Sequence, residues 1–184
     1  PIIGLKHDHL MGLYYLTRDG TRLSKKEVAN LLVYTDIDKE LDKDFYTGKE
    51  VFSMLLPKIN FRGKTKTGEE VIIENGNLVK GYIDENIVGA EKGELLDKIE
   101  LLYGCDEAAR FIENSVKLSL MFMCTHAYTI SIKDYYLPED AKKKIKRMIS
   151  SKINKYIANP CEETQIELER VLKDIEKVVR EELF

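Results

Sequence analysis

Three stretches of this sequence carry side chains of the kinds that do chemistry. His7-Asp8-His9 offers two imidazoles and a carboxylate, all good ligands for a divalent metal. Neighbouring residues of a helix point in different directions, however, and His126 is the one other histidine, so the bland reading is a capping aspartate between surface histidines. Gly63-Lys64-Thr65-Lys66-Thr67-Gly68 has the composition of a phosphate loop, but that loop needs a glycine where this chain has Lys58. It also falls between two predicted strands instead of opening a helix, and reads as a mobile basic turn. Lys142, Lys143, Lys144, Lys146, Arg147, Lys152 and Lys155 crowd one segment, opposed there by Glu139 and Asp140. Clustered ammonium groups displace counterions from nucleic acid or meet an acidic partner; the alternative is a solvated helix face. The candidate interface residues are therefore His7, Asp8, Lys142, Lys143, Lys146 and Arg147. Spacing alone pairs no nucleophile with a base, so no catalytic, cofactor-binding or metal-binding residue is assigned.

The remaining composition narrows the classes. With 29 Lys and Arg against 32 Asp and Glu, the net charge of -3 provides no global attraction for nucleic acid, and any basic surface must be local. Cys105, Cys124 and Cys161 are odd in number, widely spaced and in no Cys-x-x-Cys pair, which argues for free thiols over a disulfide framework or zinc knot. No apolar run approaches the roughly 20 residues that cross a bilayer, and no basic-then-apolar leader opens the chain. The expectation is a soluble intracellular protein. The start at Pro1-Ile2-Ile3-Gly4, without Met, reads as a cut from a longer polypeptide.

Elements that would position these residues fall into two regions. In residues 1–137, Asp8 is expected to cap a helix through Leu16. Ser24-Lys25-Lys26-Glu27 forms a capping box before Val28, Leu31 and Leu32. A short helical turn after Gly48 runs through Phe52 and Leu55 and is ended by Pro57. Residues 58–61, 70–73 and 78–83 read as strands of a small antiparallel sheet, with Asn75-Gly76 as the hairpin turn. Helical spacing returns in Leu95, Leu96, Ile99 and Leu102, is stopped by Gly104, and resumes from Asp106 to about Thr125, apolar nearly all round towards its end. Residues 138–184 contain no glycine and read as a helical hairpin. Ile145, Met148, Ile149, Ile153, Tyr156 and Ile157 form one stripe; Leu168, Val171, Leu172, Ile175, Val178 and Val179 form the other, with the break at Asn159-Pro160. The first arm is basic and the second acidic, so the arms can pair electrostatically. The expected fold class is α+β: short helices and a small antiparallel sheet, then an antiparallel helical hairpin.

Ordered blocks along residues 1–137 resemble one known family. Pro1-Ile2-Ile3-Gly4 followed by Asp8, Leu10, Gly12, Tyr14, Leu16 and Thr17 resembles the Pro-Ile-Ile-Gly-x-x-Gln-Asp-x-Leu-x-Gly-x-Tyr-x-Leu-Thr segment of the largest subunit of multisubunit DNA-directed RNA polymerases. Thr47 to Pro57, Asn75 to Asp84 with Val88-Gly89, Gly93 to Phe111, and Thr125 to Asp134 resemble the family's following blocks. Departures are His7 for a usual Gln, Ala127 and Ser131 for usual glycines, and Lys133. The pattern fits an archaeal, eukaryotic or large-DNA-virus enzyme better than a bacterial one. The resemblance implies the pore region over residues 1–137 and, by position and shape, the start of the funnel over 138–184.

What the resemblance implies for function is a wall of the secondary channel, used for nucleotide access and for docking of transcript-cleavage factors. The partners implied are other polymerase subunits, with DNA and RNA held by the whole complex and no membrane. The family's Asn-Ala-Asp-Phe-Asp-Gly-Asp loop, which holds catalytic Mg²⁺, has no match here. Mg²⁺ and Zn²⁺ are expected of the parent enzyme and no cofactor of this segment, which alone is expected to be inactive. The compartment implied is cytoplasmic for an archaeal or viral enzyme and nuclear for a eukaryotic one. The alternatives are a stand-alone helical hairpin that binds a protein partner, and a small nucleic-acid-binding module using the Lys142 to Lys155 face.

Overall fold

The computed structural model describes residues 3–126, 129, 131–158 and 162–183. The fold is α+β and divides into two compact units, residues 1–128 and 129–184.

The first unit is organised around helix α1 (Asp8–Thr17). Asp8 is the first residue inside this helix, not its cap. The capping position falls to His7, whose φ of 50° puts a non-glycine residue in the left-handed region and whose side chain makes no capping bond. Leu13 and Leu16 are fully buried, and Tyr14 is exposed on the opposite side. Strand β1 (Arg22–Ser24) leads directly into helix α2 (Lys25–Leu32), where the predicted capping box forms with both its reciprocal bonds. Strand β2 (Phe45–Thr47) pairs antiparallel with β1, Leu23 opposite Tyr46, and leads into helix α3 (Gly48–Ser53). A second capping box, Thr47 with Glu50, starts α3. This helix ends at Ser53, short of the predicted Leu55.

Strands β3 (Phe61–Lys64), β4 (Glu70–Glu74) and β5 (Asn77–Lys80) form an antiparallel meander in that order. The first predicted strand, residues 58–61, is displaced towards the C-terminus: Ile59 and Phe61 are buried, but pairing with β4 begins only at Phe61. Asn75 (φ 49°) and Gly76 (φ 77°) form the two-residue turn between β4 and β5, both with positive φ as a hairpin of primed type requires. Val71 and Ile73 alternate inward between exposed Glu70 and Glu74. The Gly63–Gly68 segment is not a free basic turn. The Lys66 amide donates to Asp84 at 2.6 Å, Lys66 Nζ pairs with Glu85 at 3.1 Å, and Thr67 bridges the Thr65 and Tyr82 hydroxyls at 3.0 and 2.7 Å.

A single helical turn, α4 (Glu85–Val88), precedes α5 (Glu94–Tyr103) and α6 (Cys105–Thr125). In α5 the buried face is Leu95, Leu96 and Ile99, whereas Leu102 of the predicted stripe is exposed. Helix α6 is one-sided, not buried all round as its composition suggested. Ala108, Phe111, Ser115, Leu118, Ser119 and Phe122 form its inner stripe, and Leu120 faces out at 40% exposure. Small residues on that stripe let α1 approach closely: a Cβ on Gly12 would lie 2.7 Å from the Ser119 carbonyl oxygen.

The second unit consists of a short 3₁₀ turn (Ile132–Tyr135) and the helices α7 (Glu139–Ala158) and α8 (Glu162–Leu183), which pack on each other. So short a connection makes them antiparallel neighbours. The predicted break at Asn159-Pro160 lies outside the described residues. Ala141 and Val171 are buried and Ile145, Met148, Ile149, Ile175, Val178 and Val179 partly so, while Ile153, Ile157 and Leu172 are exposed. Two helices have only one mutual seam, so residues off that seam stay in water. The ion pairs described here run along each helix, Lys142 to Glu139 and Arg180 to Glu176 at 2.8 Å each. Among the described residues no helix is long and apolar enough to cross a membrane.

Candidate functional site

Of the residues singled out by type, His7 and Asp8 open α1. His7 lines a recess of about 450 Å³ with Lys6, Leu10, Met11, Tyr14, Asp84 and Glu85. Both charge signs share this recess, and Lys66 already engages Asp84 and Glu85 from its other side. Asp8 is exposed at the first turn, where a carboxylate complements the helix dipole. The Nδ1 of His9 is buried and makes no hydrogen bond among the described residues. Among the described residues no three His, Cys, Asp or Glu side chains gather to hold a metal.

The basic candidates lie on α7 of the second unit. Lys142 is half-buried: its ammonium bonds Glu139 at 2.8 Å and lies 5.9 Å from the Tyr136 ring centre, so its charge is largely engaged locally. That pairing holds the Glu139 carboxyl below its ordinary range, through the hydrogen bond first and Coulomb attraction second. Lys143 reaches Asp140 more loosely at 3.7 Å. Lys146 and Arg147 are exposed one turn further on. Lys143, Lys146 and Arg147 therefore form one outward basic face by helical spacing, with Lys142 at its margin.

A third arrangement was not apparent from the sequence. At the C-terminal ends of α1 and α6 a recess of about 520 Å³ is lined by Tyr15, Arg18, Asp19, Thr21, Arg22, Phe122 and His126. The Arg18 guanidinium lies 4.6 Å from the Tyr15 ring centre, and that of Arg22 lies 4.4 Å from the Phe45 ring centre. The His126 ring stacks on Phe122 at 4.3 Å and 12°, with its Nδ1 2.9 Å from the Thr125 hydroxyl. Asp19 is bonded to Lys49 at 2.6 Å, and this partner lowers its pKa. The one available signal was that Tyr15 and Arg18 lie three apart at the end of α1, Arg18 as its C-terminal cap; bringing Arg22 and His126 beside them needs the β1 turn and the α1–α6 contact.

Cys105 and Cys124 are exposed free thiols. The Cys105 thiol is pushed up in pKa, chiefly by its hydrogen bond to Glu100 at 3.3 Å, which makes it a poor nucleophile.

Comparisons with known proteins agree with the ordered blocks. The sequence model of the family described as RNA polymerase Rpb1, domain 3, matches residues 1–135. The DNA-directed RNA polymerase subunit Rpo1N of Thermoplasma acidophilum is 32% identical over 182 residues, covering 85% of this chain and 21% of that protein. The subunit of the same name from Methanothermobacter thermautotrophicus is 36% identical over 162 residues, covering 79% of this chain and 18% of that protein. That of Sulfolobus acidocaldarius is 29% identical, with 85% and 21% covered. The chain thus spans about a fifth of the length of these relatives. With a family match over most of its length, the chain belongs to the RNA polymerase Rpb1 domain 3 family.

Proposed function

We propose that this chain is a segment of the largest subunit of a DNA-directed RNA polymerase, acting in transcription as part of the wall of the secondary channel. The observation that carries the reading is the family match over residues 1–135, followed directly by a two-helix hairpin whose first arm is basic on its outer face. A channel wall needs a rigid core and a surface of chosen potential, not a nucleophile. The first unit has such a core, with Leu13, Leu16, Val51, Phe52, Ile83 and Ile99 at 0% exposure. On this reading Mg²⁺-dependent nucleotidyl transfer and any structural Zn²⁺ belong to other parts of the enzyme. The partners are other polymerase subunits inside the cell, nucleic acid held by the whole complex, and a transcript-cleavage factor that meets Lys143, Lys146 and Arg147.

The test is charge reversal of Lys143, Lys146 and Arg147 in the assembled polymerase, with elongation and factor-stimulated transcript cleavage measured side by side. Loss of an outer charged face slows encounter with an acidic partner, so cleavage should fall about tenfold while elongation stays near normal. Equal loss of both activities would count against a docking role for the hairpin. The isolated chain should synthesise no RNA when given template, nucleotides and Mg²⁺.

A further inference from the structure

The recess at the ends of α1 and α6, with a smaller one that adjoins it at Arg18, Asp19 and Arg22, differs in charge balance from those beside His7 and Arg62. The recess beside His7 contains Asp84 and Glu85, and one beside Arg62 and Lys64 contains Glu70 and Glu94, so cations and anions meet in both. Here the only lining acid is Asp19, and Lys49 engages it from outside the lining at 2.6 Å. Glu27 on α2 is already bonded to the Ser24 amide at 2.7 Å and the Ser24 hydroxyl at 2.6 Å. Two guanidinium groups remain, their central carbons 4.6 Å from the Tyr15 ring centre and 4.4 Å from that of Phe45. A cation held against a ring face keeps its N–H donors, and a guanidinium can offer two of them to an oxyanion in bidentate fashion.

The recess also has a stacking surface. His126 is exposed, stacked on buried Phe122 on one face and hydrogen-bonded at Nδ1 to Thr125, and among the described residues no second ring stacks on its other face. Base-on-ring stacking of this kind discriminates poorly between bases, because every base has a π face. A volume of about 520 Å³ suits one small ligand. We infer that this recess binds a free nucleoside triphosphate, its phosphates on Arg18 and Arg22 and its base on His126. The inference goes beyond the channel-wall reading and does not need it, since the whole recess lies within the first unit.

The test is calorimetric titration of the 184-residue chain with ATP and, separately, with inorganic triphosphate. Saturable one-to-one binding of ATP is expected. Arg18→Gln and Arg22→Gln should each weaken both probes about tenfold through loss of a charge-assisted bond. His126→Ala should weaken ATP about tenfold more than triphosphate, and His126→Phe should restore ATP binding, because a phenyl ring stacks without carrying charge. Lys143→Glu with Lys146→Glu should leave ATP binding unchanged. Circular dichroism and the unfolding midpoint of each variant establish that it is folded. Absence of saturable binding at millimolar ATP overturns the inference, as does wild-type affinity in both arginine variants. Loss confined to the Lys143 and Lys146 variant overturns it in favour of the hairpin, and equal effects of His126→Ala on the two probes overturn the placement of the base.

Discussion

The Thr17 hydroxyl donates to the Leu13 carbonyl at 2.7 Å and accepts from the Ile83 amide at 2.9 Å, with Thr17 and Ile83 both at 0% exposure. One side chain thus ends α1 and ties it to the segment after β5, 66 residues later. A buried backbone amide left without a partner is costly, and no water reaches this one.

Thr17→Val keeps the shape and removes the acceptor. It should destabilise the chain by about 2 kcal/mol, the desolvation cost of the orphaned Ile83 amide. Thr17→Ser keeps the hydroxyl and should lose clearly less. Urea unfolding of both variants measures the difference, and equal losses would mean that the methyl group matters more than the bond.

Two glycines should respond differently to alanine. A Cβ on Gly48 would lie 1.7 Å from the Leu16 carbonyl oxygen, a backbone atom that cannot swing away. Gly48→Ala should therefore cost about 3 kcal/mol. Gly104 has open space around it, but its φ of 88° with ψ of 173° is backbone nearly reserved for glycine, so Gly104→Ala meets only that conformational penalty, about 2 kcal/mol. Thermal melts rank the two.

Acid should loosen the first unit before any core residue is changed. Asp36 has a lowered pKa, chiefly because Arg110 Nε donates to it at 2.6 Å, with Asn114 adding a further bond. Glu50 is lowered first by Lys43 at 2.6 Å and then by the Thr47 amide at 2.7 Å. A folded-state pKa below the unfolded one means stability that is complete above the ordinary carboxylate values and is lost as pH falls through the folded ones. The unfolding midpoint should hold steady from neutrality down to about pH 5 and drop below about pH 4. Asp36→Asn combined with Glu50→Gln should flatten that drop while lowering the plateau. An unchanged acid profile in the double variant would assign the drop to other carboxylates.

What the sequence made legible was mostly what is local. Ser24 with Glu27, and Asn75 with Gly76, need only a few consecutive residues to form, and both appear as expected. Thr47 with Glu50 obeys the same capping rule, one residue before the Gly48 after which the helical turn was expected. Asp8 has the residue type of a cap but lies one position inside, since Leu5 is held to the Val88 carbonyl at 3.0 Å and the chain turns at His7. Pairing of β1 with β2 joins two strands of three residues across helix α2, and no pattern that short can announce its partner. The Arg18, Arg22 and His126 recess was hidden for the same reason: its residues meet only after α1 and α6 have packed. Family membership, by contrast, was legible from ordered blocks, since it depends on residue order and not on contact.

The contacts of α1 also bear on how the chain is made. Gly12 meets Ser119, Leu16 meets Gly48, and Thr17 meets Ile83, so one ten-residue helix is the common partner of three segments spread along the unit. On a ribosome α1 emerges about a hundred residues before Ser119, and until that helix follows, the side of α1 at Gly12 has no permanent cover. The first unit should therefore gain its final packing late and at once, and premature termination within α6 would release a chain in which part of α1 is still exposed to chaperones and proteases.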